Sequence, residues 1–182
     1  MILLNIIICF VIIFFAKLNP LTFYKKSISA IITGFSTGSS SATMPEMMNA
    51  AAKMGISQNI YALTIPLMTM MCNISVPMVV LISTFSLANM YGVEVSAVNM
   101  FFVLVSAVIV LPMLPSMPGA PFIAMSSFLS MIGCPVEGVA FIMAIEPIFF
   151  GTPTNVMGVI TSAMIVAKSE NQLDIEKYKS EN

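Results

Sequence analysis

The sequence predicts an all-α polytopic membrane protein in which two re-entrant helical hairpins, inverted relative to each other, each precede a broken transmembrane helix. The 182-residue chain is 58% hydrophobic and 8% charged, whereas soluble domains are about 25% charged. Between Lys53 and Lys168 the only charged residues are Glu94, Glu137 and Glu146. Polar or proline- and glycine-rich segments interrupt the hydrophobic sequence at residues 36–45, 73–77 and 115–121. Broken helices persist in lipid only where protein or a water-filled cavity surrounds them, so these interruptions predict a polar site.

Composition excludes several classes of function. The chain contains no histidine and no arginine, which removes histidine catalysis, histidine metal sites and bidentate arginine recognition. Its net charge of −1 gives no electrostatic basis for binding nucleic acid. No nucleophile–base pair or metal-ligand cluster stands out, so we expect neither an enzyme nor an organic cofactor. The cysteines Cys9, Cys72 and Cys134 are far apart and are predicted to be reduced thiols.

Residues 1–26 predict the end of a transmembrane helix followed by a basic cytoplasmic loop. The apolar run at its start is shorter than the ~20 residues that a spanning helix needs. A signal peptide would carry basic residues before such a run, whereas Lys17, Lys25 and Lys26 follow it here. We therefore interpret the run as the inner end of a helix that starts before this sequence.

Residues 27–54 predict the first re-entrant hairpin. Two short apolar arms flank a polar tip at 36–42, and neither arm can cross ~30 Å of hydrocarbon at ~1.5 Å per residue. Thr43 and Glu46 predict a capping box, in which the Thr43 hydroxyl caps the second arm and Glu46 reaches back. A cation ligand or proton carrier at Glu46 is the alternative.

The following segments predict a second unit of the same kind. Residues 57–91 are long enough to cross a membrane with tilt, but Pro77 interrupts the helix because proline removes a backbone hydrogen bond. Residues 97–132 predict the second hairpin, which turns at the proline- and glycine-rich segment. Residues 139–168 predict a last long helix that is broken near 151–153.

The placement of lysine predicts the orientation. If the two long helices cross and each hairpin enters and leaves on one side, all seven lysines lie on the same side. Glu94 and Glu137 then lie on the opposite side. The positive-inside rule makes the lysine side cytoplasmic, so we expect a multi-pass protein of the cell membrane with a charged, mobile, cytoplasmic tail at 169–182. The first hairpin enters from the cytoplasm and the second from outside, an inverted arrangement that many transporters share.

Polar residues at the interruptions are candidate contacts for a solute or a cation. Ser39, Ser40 and Ser41 precede the second arm of the first hairpin, where exposed N–H groups at a helix start attract anions. A serine-rich turn without a ligand is the alternative. Pro153 frees carbonyl groups near Thr152 and so predicts solute or cation binding there. The alternative is a kink whose carbonyl groups are satisfied by threonine hydroxyls.

Glu146 is the candidate for a protonatable or cation-binding group. It lies about eight residues into the last helix, which corresponds to a depth of roughly 12 Å at ~1.5 Å per residue. A charge at the centre of a spanning helix costs a few kcal/mol, and such residues usually mark an ion or proton path. A neutral glutamic acid that is hydrogen-bonded to unwound backbone is the alternative.

Several segments carry a resemblance to a known family. They are FSTGSSSATMP at 35–45, KMGIS at 53–57, IYALTIPL at 60–67, MPGA at 117–120, Thr152 with Asn155, and IVAKSE at 165–170. With them the chain resembles, collinearly over nearly its whole length, the dicarboxylate/amino acid:cation symporter family. That family includes glutamate and aspartate transporters of bacteria and archaea, and the likeness is to its C-terminal part.

The resemblance implies symport of a small organic solute, such as an amino acid or a carboxylate, coupled to Na⁺ or H⁺. Residues 27–168 would be a transport domain that moves through the bilayer like an elevator. Its partners would be the solute, the lipid bilayer, and either an N-terminal scaffold half or the other copies of a homotrimer. The implied substrate-binding residues are Ser39, Ser40, Ser41, Asn73, Met117, Gly119, Thr152 and Asn155. Asn73 and Asn155 would also contact the cation.

The chain also departs from the family pattern. Ile74 and Val159 stand where the family has sodium-binding aspartates, and Val76 replaces a threonine. Gly151 occupies the position of the arginine that holds the substrate carboxylate, and the second tip ends in Pro121 instead of glycine. These changes favour a neutral or monocarboxylate solute and proton coupling. They also leave open a truncated or split family member that is inactive alone or works only with a partner supplying scaffold helices.

Overall fold

The computed structural model describes residues 2–111, 114, 119–145 and 151–180. Over these residues the chain is mostly helical and forms no β-sheet, which agrees with the predicted all-α class. The three cysteines are free thiols, as predicted. The helices, in chain order, are α1 (Ile2–Val11, continued by a π-helical turn at Ile12–Ala16), α2 (Pro20–Thr37), α3 (Met44–Lys53), α4 (Gln58–Met71), α5 (Val76–Met90), α6 (Ala97–Val110), α7 (Ala120–Met131), α8 (Gly138–Ile145), α9 (Gly151–Ser169) and α10 (Ile175–Lys179).

Two clusters of buried apolar side chains hold the helices together. The first cluster joins α1, α2, α3, α4, α9 and α10, and the second joins α5, α6, α7 and α8. Helix α9 is the centre of the first cluster because it packs against α1, α2, α3 and α4. Every residue of α9 from Val156 to Thr161 is buried, so this stretch has no exposed face. Such a pattern is typical of a helix that is surrounded by other helices.

The first hairpin consists of α2 and α3. Helix α2 begins after Asn19, whose side chain accepts a hydrogen bond from the backbone N–H of Leu21 at 2.9 Å, and Pro20 takes the first helical position. It ends at Gly38, which has a φ of 60° and donates its N–H to the Gly34 carbonyl at 3.0 Å. The first arm is therefore longer than predicted, because these capping signals place its start at Pro20 instead of residue 27.

The predicted capping box at the start of α3 is wrong. The Thr43 hydroxyl donates to the Ser39 carbonyl at 2.8 Å and makes no cap bond. Thr43 already has helical backbone angles (φ −84°, ψ −8°), and its own N–H donates to the carbonyls of Ser39 and Ser40. Its side chain therefore faces the preceding turn. Glu46 does not reach back; its carboxylate accepts a hydrogen bond from the Ser29 hydroxyl of α2 at 2.7 Å.

The segment after the first hairpin is interrupted where the sequence indicated. Helix α4 ends at Met71 and α5 begins at Val76, with Pro77 in its first turn. We call residues 72–75 the first break. Within the described residues, Gln58–Met90 is the one stretch that is long and apolar enough, by length and composition, to cross a membrane.

The second half is described in part. Helices α6 and α7 pack against α5 and against each other. Most of the predicted turn between them lies outside the described residues, as do residues 146–150 between α8 and α9. The tail does not have the predicted mobility over its described part. It forms α10, and Tyr178 on that helix is only 1% exposed.

Candidate functional site

The tip of the first hairpin, residues 37–43, is a turn that bonds to itself. Ser39 and Ser40 are 8% and 4% exposed, although serine is usually found at the surface. The Ser39 hydroxyl accepts the Ala42 N–H at 3.3 Å, and the Ser39 N–H donates to the Thr37 hydroxyl at 3.3 Å. Ser41 is exposed on the same turn. The hydroxyls therefore fix a polar loop in an otherwise apolar chain.

The tip lies close to the start of α9. A Cβ atom placed on Gly34 would lie 3.1 Å from Val156 Cγ2, 3.6 Å from Thr43 Oγ1 and 3.7 Å from Thr152 Cγ2. Glycine at position 34 thus allows α2 to approach the first turns of α9. This contact places Thr152 of α9 beside Gly34 and Thr43 of the hairpin.

A small cavity separates the tip from the start of α9. Its volume is about 200 Å³, and it is lined by residues 34–38 of α2 and residues 151–153 of α9. Pockets for drug-sized ligands are usually larger, at about 300–1,000 Å³. The described lining of the cavity includes Ser36, Thr37 and Thr152, and none of the described lining residues is charged. It suits a small polar solute.

The first break and the start of α9 are joined by hydrogen bonds. Asn155 Oδ1 accepts the Ser75 N–H at 2.9 Å, and the Ser75 hydroxyl donates to the Gly151 carbonyl at 2.9 Å. Ser75 and Asn155 are 1% and 5% exposed. The Asn73 Nδ2 donates to the Leu114 carbonyl at 2.8 Å. Through these bonds, the two predicted asparagines contact different segments of the chain.

The first break also packs against α9 through apolar atoms. A Cβ atom on Gly158 would lie 3.0 Å from both Cys72 Sγ and Ile74 Cδ1. Ile74 thus fills space beside α9 at the position where the resemblance implied a sodium-binding aspartate. The described residues contain no group of three histidine, cysteine, aspartate or glutamate side chains that could hold a metal ion. The described residues of the first break and of the start of α9 offer neutral oxygen atoms: an amide oxygen, a hydroxyl oxygen and backbone carbonyl oxygens.

The structure brings together some candidate residues and not others. Ser39 and Ser40 are buried in the tip, Thr152 lies near Gly34 in the first turn of α9, and Asn155 lies in the second turn of α9. Gly119 starts α7 with a φ of 92°, a conformation that favours glycine. Met117 and Glu146 lie outside the described residues. Ser75, which bridges the first break and α9, is not among the residues predicted from the sequence. Its position inside the first break is the signal that could have indicated it.

A further polar cluster lies on another side of α9. Asn5 Nδ2 of α1 donates to the Thr154 hydroxyl at 3.2 Å, and the Tyr24 hydroxyl of α2 donates to Asn5 Oδ1 at 3.2 Å. Cys9 Sγ lies 3.7 Å from the same Tyr24 hydroxyl. These bonds connect α1, α2 and α9. No sequence motif indicated these bonds, because the residues belong to three helices from different parts of the sequence.

Sequence comparisons show which known proteins the chain is similar to. The chain is 28% identical over 151 residues to the proton/sodium-glutamate symport protein of Bacillus caldotenax, which covers 82% of this chain and 36% of that protein. It is 24% identical over 149 residues to the proton/glutamate-aspartate symporter of Escherichia coli K12, covering 81% and 34%. It is 26% identical over 166 residues to the C4-dicarboxylate transport protein of Bacillus subtilis, covering 90% and 39%.

These relatives are named as transport proteins and not as enzymes. The chain spans 36% of the length of the Bacillus caldotenax protein, so its match is to a part of that protein. The model of the sodium:dicarboxylate symporter family matches residues 1–169, which is nearly the whole chain. The chain therefore belongs to the sodium:dicarboxylate symporter family.

Proposed function

We propose that this chain forms the solute- and cation-binding part of a symporter that carries a small organic solute, such as an amino acid or a carboxylate, across the cell membrane. Membership of the family supports transport as the activity and a membrane as the location. The names of the relatives support a cation as the coupled ion. The coupling ion is Na⁺ or H⁺, and we expect the C-terminus in the cytoplasm because of the lysine distribution.

The observation that carries this proposal is the polar tip of the first hairpin beside the start of α9. Ser39 and Ser40 are buried in that tip, and the adjoining cavity is lined by residues that include Ser36, Thr37 and Thr152. Polar backbone at membrane depth needs protein or a water-filled cavity around it. A re-entrant hairpin at residues 27–54, entering from the cytoplasm, would place the tip at that depth. A second hairpin at residues 97–132 would enter from outside.

The cavity favours a solute with at most one carboxylate. Recognition of a dicarboxylate usually uses a cationic side chain for the second carboxylate. The chain contains no arginine, and the described residues that line the cavity are neutral. We infer that the solute is a neutral amino acid or a monocarboxylate, held by tip hydroxyls and backbone groups. Glu146 is the proposed protonatable group.

The mode of movement is part of the proposal. Residues 27–168 would move through the bilayer as an elevator-type unit against scaffold helices. Scaffold helices would come from the part of the relatives' length that this chain does not match, or from the other copies of a trimer. A chain that is inactive alone, or that works only with such a partner, is the other outcome that an uptake experiment would reveal.

Uptake into proteoliposomes tests the proposed function. The chain is reconstituted alone and together with the N-terminal part of a bacterial relative, and uptake of radiolabelled alanine, lactate, glutamate and succinate is measured under an imposed Na⁺ or proton gradient. We expect gradient-driven, saturable uptake of alanine or lactate. Ser40→Ala should lower the apparent affinity about fivefold, since a hydrogen bond contributes about 1 kcal/mol.

The matched control is Ser127→Ala. Ser127 is exposed on α7, and its hydroxyl donates to the Ile123 carbonyl of its own helix at 3.1 Å. Uptake by this variant should equal that of the unaltered chain. Absence of gradient-driven uptake in both preparations would contradict the proposal and support an inactive chain. Equal effects of the two serine substitutions would remove the tip from the site.

A further inference from the structure

We propose that residues 171–180, here named the C-terminal strap, hold the base of the first hairpin closed by bonding to the start of α2 and to the segment that connects α3 with α4. This inference does not depend on transport activity. It concerns the end of the hairpin opposite the tip, where α2 begins and α3 ends. The evidence is a set of contacts between segments that lie more than a hundred residues apart in sequence.

The strap pairs with the connection between α3 and α4 through the backbone. Ser57 donates its N–H to the Gln172 carbonyl at 3.1 Å, and Asp174 donates its N–H to the Gly55 carbonyl at 2.9 Å. Between these bonds, Ile56 and Leu173 form an antiparallel bridge. The Asp174 side chain then accepts the Lys177 N–H at 2.9 Å and so caps α10. The strap therefore has a defined register on the hairpin base.

Tyr178 anchors the strap to the start of α2. Its side chain is 1% exposed and belongs to the first apolar cluster. Its hydroxyl donates to the Asn19 carbonyl at 2.8 Å, immediately before Pro20 begins α2. A five-residue helix has little stability of its own, so the burial of this ring is what holds α10 in place.

Lys26 joins all three segments. Its Nζ donates to the Lys53 carbonyl at the end of α3 at 3.0 Å and to the Lys177 carbonyl in α10 at 2.7 Å. The same atom lies 6.0 Å from the centre of the Tyr178 ring. A cation is favourable at the carbonyl end of a helix, and here one ammonium group serves two such ends. While Lys26 makes both hydrogen bonds, it holds α2 and α3 together at their base.

A substitution at Gly55 can displace the strap without changing any residue of the strap. Its φ is +78°, and a Cβ atom there would lie 2.5 Å from the Asp174 carbonyl oxygen and 3.1 Å from Asp174 Cβ. That distance to a backbone atom is shorter than any normal contact, so a side chain at position 55 must move the strap. Gly92 has a similar φ of +68° and no atom within 4 Å of the same test position.

Hydrogen–deuterium exchange of the whole chain in detergent micelles tests the strap, with Gly55→Ala compared with Gly92→Ala. Both variants carry the same backbone strain, and only the first meets Asp174. We expect Gly55→Ala to raise exchange about tenfold in residues 171–180 and at Ser57, because local opening free energy falls when contacts are lost. Gly92→Ala should match the unaltered chain in these segments. Equal exchange in the two variants would overturn the proposal.

A second pair of variants keeps the test valid if Gly55→Ala fails to fold. Lys26→Met removes both carbonyl contacts without adding a clash. Lys25→Met removes the neighbouring lysine, which is exposed. We expect Lys26→Met alone to raise exchange in α10 and at the end of α3. If Lys26→Met and Lys25→Met give the same exchange profile, the strap does not close the hairpin base.

Discussion

The absence of a side chain at Gly34 allows α2 to lie against α9. The nearest atom to a Cβ placed there is Val156 Cγ2 at 3.1 Å, a branched side chain that is itself fully buried. A small residue at this point therefore sets the spacing between the hairpin and α9. The cavity beside the tip depends on that spacing, because its two walls belong to these two helices.

Gly34→Leu should destabilise the chain by about 1–3 kcal/mol, since overpacking a filled interface costs that much. Thermal unfolding in detergent, followed by circular dichroism, measures the change. Ala62→Leu is the matched control because Ala62 is exposed on α4. Similar melting temperatures for the two variants would show that the interface has room for a side chain at position 34.

At the scale of the element, the polar cluster at Asn5 fixes α1 against α2 and α9. Tyr24 is its centre, because the hydroxyl contacts both Asn5 and Cys9. In apolar surroundings a hydrogen bond between helices specifies one relative position of the helices, which apolar contacts alone do not. Helix α1 therefore has a defined rotation about its axis.

Tyr24→Phe should lower the free energy of unfolding by about 1 kcal/mol, the net contribution of one hydrogen bond. Chemical or thermal unfolding in detergent checks it. Tyr61→Phe is the control, because the described part of the chain shows no hydrogen bond of the Tyr61 hydroxyl. A loss of stability as large in Tyr61→Phe would mean that the ring environment, and not the Asn5 contact, is responsible.

The elements that the sequence predicted well are those with strong local signals. The first break follows from Asn73 and Pro77, because proline cannot continue the hydrogen-bonding of the preceding helix. The start of α2 was misplaced because Lys25 and Lys26 were interpreted as a loop, although Asn19 followed by proline is a helix-start signal. The capping box failed because a sequence motif cannot reveal that Thr43 already has helical backbone angles.

At the scale of the whole molecule, the resemblance predicted a candidate site, and the structure describes how part of it is arranged. The serine-rich tip and Thr152 could be named from motifs. The bond from Ser75 to Gly151 and the direction of Asn73 toward Leu114 could not, because they depend on how distant segments pack. The packing of the tail against the first hairpin could not be predicted from the sequence either. A short charged segment has no periodic pattern that would predict the burial of Tyr178.

The stability of the whole chain should fall at alkaline pH through Tyr178. Burial raises the pKa of its phenol to about 12, above the ordinary value of about 10. A raised pKa in the folded state contributes stability that is complete below pH ~10 and is lost as pH rises toward ~12. Unfolding measured across this range should show a steeper loss for the unaltered chain than for Tyr178→Phe. Parallel curves would contradict the burial of this phenol.

The enclosure of α9 has a mechanical consequence. Its side chains from Val156 to Thr161 are buried against neighbours on every side, and those neighbours are α1, α2, α3 and α4. A helix that is packed on every side can neither rotate about its axis nor shift along it independently of its neighbours. A displacement of α9 would therefore also displace α1, α2, α3 and α4.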